Sequence, residues 1–76
     1  MSVTIYSTPS CGYCNVAKKY FKEHSIKFTD YNVMIDTSKA QEMINKSGQR
    51  GVPVIDINGK IIIGFNQSEI EKSLKR

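Results

Sequence analysis

Thr8-Pro9-Ser10-Cys11-Gly12-Tyr13-Cys14 contains the only two cysteines of the chain, three residues apart. They stand where a strand-like run gives way to a helix-like one. Upstream, Val3-Thr4-Ile5-Tyr6 is β-branched and aromatic, the composition that suits a pleated, half-buried strand. Downstream, Cys14, Ala17, Tyr20, Phe21 and His24 recur at steps of three and four, the period of one helix face. Cys11 therefore falls at a helix N-terminus, where unpaired N–H groups and the positive end of the helix dipole stabilise a thiolate over a thiol. Cys14 lies one turn further in. With a rise of about 1.5 Å per residue, the two Cα atoms come roughly 5 Å apart, inside the window of about 4.4–6.8 Å that a disulfide requires. The pair can open and close with little movement of the backbone.

Other uses of two cysteines fit less well. A bridge closing so short a loop restrains the unfolded chain little, and there is no further cysteine to build a disulfide framework. A zinc site needs four ligands, and the single histidine, His24, is ten residues past Cys14 along the same helix, too far to share a tetrahedron with Cys11. Two incidental buried thiols remain conceivable on composition alone. A Cys-x-x-Cys pair at a strand-to-helix junction in an α/β pattern is instead a signature of redox chemistry.

Seventy-six residues with 39% apolar content, two prolines and five glycines describe one globular domain over residues 1–76. No apolar run approaches the roughly 18 residues of a membrane span. The start, Met1-Ser2-Val3-Thr4, shows no basic stretch followed by an apolar one, so the expected compartment is a reducing cytoplasm, where paired cysteines are more often catalytic than structural. Eleven basic against seven acidic residues give a net charge of +4. The excess is spread out. Lys18, Lys19 and Lys22, with Lys72, Lys75 and Arg76, read as solvated faces, and no interleaved aromatics suggest base stacking, so nucleic acid is not an expected partner. A mild positive field still favours an anionic small substrate.

Taken in order, residues 3–6 read as a first strand, with Val3 and Ile5 on one face and Thr4 and Tyr6 on the other. A helix follows from about Gly12 to Ser25, turning Val16, Ala17, Tyr20 and Phe21 to the sheet. His24 reads as a helix-end cation or filler. Ile26 to Val33 alternates as a second strand, with pairing expected over 27–32. Strand, helix and strand make a right-handed βαβ unit, so the two strands should be parallel. Asp36-Thr37-Ser38 offers a cap and Gly48 a left-handed stop for a helix over about Ser38–Ser47, with Ala40, Met43, Ile44 and Ser47 on one stripe. Pro53 opens a strand at 54–57, Asn58-Gly59 supplies a type I′ turn, and 60–64 returns as its hairpin partner. Asn66 and Glu69 form a capping-box pattern for a last helix from about Gln67 to Lys75.

That element order, with Cys-x-x-Cys after the first strand and Val-Pro opening the third, resembles the thioredoxin fold in its minimal α/β form: a four-stranded mixed sheet with three helices, β-α-β-α-β-β-α. Tyr6-Ser7-Thr8-Pro9-Ser10-Cys11-Gly12-Tyr13-Cys14 resembles the glutaredoxin active site, which usually reads Cys-Pro-Tyr-Cys. Ser47-Gly48-Gln49-Arg50-Gly51-Val52-Pro53 resembles the family's loop ending in Thr-Val-Pro. The resemblance implies a monomeric thiol-disulfide oxidoreductase of cell redox homeostasis and electron transport, with glutathione as co-substrate and no bound metal. Its partners are disulfide-containing or glutathionylated proteins, with no membrane. Cys11 would attack and Cys14 resolve. Tyr13, Gln49, Arg50, Val52, Pro53, Gln67 and Ser68 would contact glutathione, and the bond before Pro53 would be cis, turning the Val52 backbone toward Cys11.

The departures bear on substrate. Thr8 stands where glutaredoxins commonly have lysine, and Gly64-Phe65-Asn66-Gln67-Ser68 replaces a Gly-Gly-x-Asp-Asp-like turn, so the carboxylate for glutathione's ammonium is missing. Gln67 and Ser68 can accept hydrogen bonds but add no ion pairing. Gly64-Phe65 also resembles redoxins that serve ribonucleotide reductase and take electrons from thioredoxin reductase, which is the alternative reading. Gly12 in place of proline is similar to glutaredoxins that hold a [2Fe–2S] cluster between two subunits, a further alternative.

Overall fold

The computed structural model describes residues 2–74. The chain runs β1 (Val3–Ser7), α1 (Gly12–Glu23), β2 (Thr29–Asn32), α2 (Thr37–Ser47), β3 (Val54–Ile57), β4 (Lys60–Ile63) and α3 (Gln67–Leu74). The sheet order is β2-β1-β3-β4. β1 pairs with β2 in parallel, as a strand–helix–strand unit requires, and with β3 antiparallel, while β3 and β4 form the hairpin. Asn58 and Gly59 close it with φ of 51° and 92°, the positive pair a type I′ turn demands.

β1 lies in the middle of the sheet and is buried on both faces, so its alternation divides the core. Val3 and Ile5 join Ala17 and Phe21 of α1, Ile55 and Ile57 of β3, Ile62 of β4 and Ile70 of α3. On the other face Tyr6 meets Met43 of α2 and Val54. Helices thus cover both sides. α1 is seated by Cys14, Ala17 and Phe21, all fully buried, at the i, i+3, i+7 spacing of one stripe.

Several details depart from expectation. Val16 is exposed, because the seam runs through Cys14 and leaves Val16 roughly 160° around the helix from it. The exposed His24 ends α1 two residues early, its ring against Tyr20 at a 38° tilt with centroids 4.3 Å apart. The cause is a Schellman ending. Ser25 takes φ of 56°, its N–H donates to the Lys22 carbonyl, and the Ile26 N–H donates to the Phe21 carbonyl. That turn consumes the residues expected to begin the second strand, and the chain comes into register with β1 only when Thr29 meets Thr4. Ile26 and Phe28 still pack against the core. α2 ends as expected at Gly48, in the left-handed region at φ 74°. At α3 the Asn66 side chain accepts from the Glu69 N–H at 3.2 Å. The expected end of that helix at Lys75 lies outside the described residues.

Candidate active site

Strand register gathers distant segments at one edge. Tyr6 stands opposite Val54, and Val54 opposite Ile63. The residues just beyond that rung, Ser7-Thr8, Pro53 and Gly64, therefore share one end of the sheet, and the Gly64 N–H donates to the Pro53 carbonyl at 2.9 Å. The loop into Cys11, the Val52-Pro53 loop and the approach to Gln67 emerge side by side. Ser7 also pairs with Asn32, which brings the β2–α2 loop, with its exposed Met34 and Ile35, to the same edge.

Cys11 is the N-cap of α1, in extended conformation at φ −85° and ψ 113°. Thr8 to Cys11 is a turn closed by the Cys11 N–H donating to the Thr8 carbonyl at 3.3 Å. The Cys11 sulfur takes the place a Ser or Asp oxygen fills in an ordinary cap, accepting from the Cys14 N–H at 3.1 Å. No acidic side chain lies in the first turn, so nothing there opposes a negative sulfur. The two cysteines are joined in a disulfide with Cα atoms 5.2 Å apart, inside the range that needs no backbone rearrangement. Their exposures differ: Cys14 is fully buried while Cys11 is half-buried. In this disulfide state the outer sulfur is the one an incoming thiol can reach.

The remaining sequence-predicted residues surround this edge unequally. Tyr13 is 70% exposed on the first turn of α1. Val52 is half-buried against the Tyr6–Met43–Val54 cluster, and the bond joining it to the buried Pro53 is cis. Arg50 is exposed and makes no ion pair among the described residues. Gln49 turns its amide back on its own loop, donating to the Gly51 carbonyl at 3.0 Å. Gln67 and Ser68 are exposed at the start of α3, but the Gln67 amide donates to Glu71 at 3.0 Å. Its carbonyl oxygen remains available as an acceptor. Among the described residues no three His, Cys, Asp or Glu side chains gather as a metal-binding group.

Two polar networks beside the site escaped the sequence reading. In the first, the Tyr6 hydroxyl donates to Glu42 and accepts from Lys46 Nζ at 2.9 Å. Lys46 in turn reaches Asp56 at 2.8 Å and Glu42 at 3.7 Å. Burial and then the Glu42 acceptor raise the Tyr6 phenol above its ordinary range, while the hydrogen bonds to Asp56 and Tyr6 hold the Lys46 ammonium more firmly protonated. The network ties the last turn of α2, just ahead of the Gln49–Pro53 loop, to β1 and β3. In the second, the buried Ser7 hydroxyl donates to Asp30 at 2.6 Å and Lys18 pairs with the other Asp30 oxygen at 3.0 Å. A tyrosine on a central strand was the available clue to the first, since a buried phenol needs a partner.

The glutaredoxin family model matches residues 3–62. The chain belongs to the glutaredoxin family. It is a thiol-disulfide oxidoreductase by that membership, with Cys11 and Cys14 as its Cys-x-x-Cys pair. An uncharacterized glutaredoxin-like 8.6 kDa protein in the rubredoxin operon of Clostridium pasteurianum is 47% identical over 74 residues, covering 97% of this chain and 99% of that one. Among solved structures, the glutaredoxin-like protein NrdH-redoxin of Escherichia coli, described as having a thioredoxin-like activity profile, superposes with a TM-score of 0.83 at 26% identity, covering 100% of this chain and 97% of its own. A buckwheat glutaredoxin-glutathione complex superposes with a TM-score of 0.74 at 29% identity, covering 92% and 66%.

Proposed function

We propose that this glutaredoxin reduces protein disulfides and glutathione mixed disulfides, with glutathione as electron donor. The observation that carries the reading is the half-buried Cys11 sulfur at a helix N-terminus with the fully buried Cys14 one turn behind it. In the reduced protein the Cys11 thiolate attacks one sulfur of the substrate R–S–S–R′, forming a Cys11–S–S–R mixed disulfide and releasing R′–S⁻. Cys14 then gives up its proton and attacks Cys11, which releases R–S⁻ and leaves the intramolecular disulfide. Two electrons have passed from the dithiol to the substrate. Two glutathione thiols return them and leave as glutathione disulfide. With a glutathionylated substrate, a second glutathione can resolve the mixed disulfide without Cys14.

Tyr13, Arg50 and the Val52-Pro53 backbone form the surroundings proposed for glutathione, and the buckwheat complex supports that choice of ligand. The lost carboxylates at 67 and 68 remove an exposed ion pair worth about 0–1 kcal/mol, a factor of up to roughly five in affinity, too little to exclude a ligand held also by Arg50, backbone and a sulfur link. A second reading, a redoxin recharged by a flavoprotein thioredoxin reductase, draws on that same absence, on Gly64-Phe65 and on the likeness to NrdH-redoxin. A coupled assay separates them. One cuvette receives NADPH, glutathione and glutathione reductase, the other NADPH and thioredoxin reductase, each with a disulfide substrate. Turnover with glutathione supports the proposal; turnover only with thioredoxin reductase sinks it.

A further inference from the structure

Asn15, Lys18 and Lys22 follow one another at i, i+3 and i+7, so they lie along a single stripe of α1, the helix that Cys11 caps. Beside that stripe a groove of about 550 Å³ is lined by Asn15, Lys18, Lys19, Lys22, Phe28 and Asp30. It lies on the β2 side of α1. The Val52-Pro53 loop and the start of α3 belong to the other side of β1, where β3 and β4 pair, so the groove is distinct from the surroundings proposed for glutathione. Its one carboxylate is neutralised within the fold, with Asp30 accepting from Ser7 on one oxygen and Lys18 on the other. Lys19 and Lys22 make no ion pair among the described residues. Phe28, half-buried with its ring centroid 5.8 Å from that of Phe21, gives the groove an apolar lining side chain. Two uncompensated ammonium groups lining the same groove as an aromatic side chain, on the helix that Cys11 caps, fit an acidic polypeptide segment.

We propose that this groove docks an acidic segment of the disulfide-bearing protein partner, next to the cysteine that reacts with Cys11; the proposal rests on the thiol-disulfide exchange described above. At about 1.5 Å per residue, Lys18 and Lys19 stand roughly 11 Å along the helix from Cys11, and Lys22 roughly 16 Å. An extended chain covers about 3.3 Å per residue, so the acidic side chains fall about three to five positions from the reacting cysteine. The groove thereby sets substrate preference without taking part in the exchange.

The test uses the full chain, reduced with dithiothreitol and desalted, in single-turnover reactions quenched with acid and resolved by mass. Two peptides carry a central cysteine in mixed disulfide with 2-mercaptoethanol. One has glutamates three to five positions away on both sides, and its twin has glutamines there. Bis(2-hydroxyethyl) disulfide serves as the neutral reference. The glutamate peptide is expected to react about three- to tenfold faster than its twin at low ionic strength, with the difference collapsing at high salt. Lys19→Gln with Lys22→Gln is expected to bring both peptides to the twin's rate while the reference rate holds, and Lys19→Glu with Lys22→Glu to invert the preference. Equal peptide rates in the unaltered protein, or a preference that survives Lys19→Gln with Lys22→Gln, overturn the docking groove. Failure to reduce even the reference disulfide overturns the exchange reading itself, a different result from a lost preference.

Discussion

Lys46→Met removes the cation that joins α2 to the sheet while keeping most of the side chain's apolar length. Its ammonium holds Asp56 at 2.8 Å, Tyr6 Oη at 2.9 Å and Glu42 at 3.7 Å. The Lys46 and Glu42 side chains are 34% and 36% exposed, so those contacts are screened, whereas Asp56 is only 16% exposed. A screened pair is worth about 0.2–1 kcal/mol, and stranding a partly buried carboxylate adds about 1 kcal/mol. Asp56 is not wholly stranded, since its other oxygen accepts from the Gly59 N–H at 2.8 Å. The expected loss is about 1–2 kcal/mol, or roughly 4–16 °C in Tm for a domain of this size. The pH dependence has a definite sign. The Lys46 ammonium is favoured in the folded state, so its contribution is complete below about pH 10 and fades only above that range. Glu42 is held below the usual carboxylate range, chiefly by the Tyr6 hydroxyl and then by Lys39, so its contribution is complete above about pH 4 and is lost as pH falls through the lowered value. The stability gap between wild type and variant should therefore be level from about pH 6 to 9, while below about pH 4 both proteins lose the Glu42 contribution, since Tyr6 and Lys39 remain in the variant. Urea titrations across that range, with Asp56→Asn and the double variant completing a cycle, measure it. An unchanged midpoint for Lys46→Met, or strict additivity in the double variant, would refute the reasoning.

Phe21→Ala empties a fully buried site between α1 and the sheet and should cost about 3–5 kcal/mol, against about 4–11 kcal/mol for the whole of a domain this size; thermal unfolding followed by circular dichroism will show a variant near the limit of folding. Ser68→Asp restores a carboxylate at the exposed start of α3. On the glutathione reading it should lower the KM for glutathione by up to about fivefold at low salt with kcat little altered, and an unchanged KM in the coupled assay would place glutathione elsewhere.

The architecture was legible where local chemistry and tertiary structure agree. Val3-Thr4-Ile5-Tyr6 followed by the Cys14–Ala17–Phe21 spacing reads directly as a strand feeding a helix, and Asn58-Gly59 and Gly48 name their own backbone conformations. The end of α1 was not legible, because its left-handed position is Ser25, a residue with no Cβ-free signature, and the strand after it was over-read as a consequence. Val16 misled because any apolar residue near a helical stripe resembles part of it until the seam is known. The networks of Tyr6 with Glu42, Lys46 and Asp56, and of Ser7 with Asp30 and Lys18, join residues 10 to 40 positions apart, pairings created only when the helices pack on the sheet. The Cys-x-x-Cys pair stood out in the sequence because its chemistry depends on one helix turn. The surroundings proposed for glutathione come from the first turns of α1 and α3 and from the Gln49–Pro53 loop, and sequence alone did not show that Gln49 and Gln67 turn their amides onto Gly51 and Glu71.

The most direct test of the central claim is to trap the first covalent intermediate. Reduced Cys14→Ser and Cys11→Ser variants are mixed with glutathione disulfide, quenched with acid within seconds, digested and mapped by mass spectrometry. The account predicts one glutathionyl group on Cys11 of the Cys14→Ser protein and no comparable adduct on the buried Cys14 of the Cys11→Ser protein. Adduct formation at Cys14 as fast as at Cys11 would contradict it, and so would a Cys14→Ser protein that takes up no glutathionyl group at all.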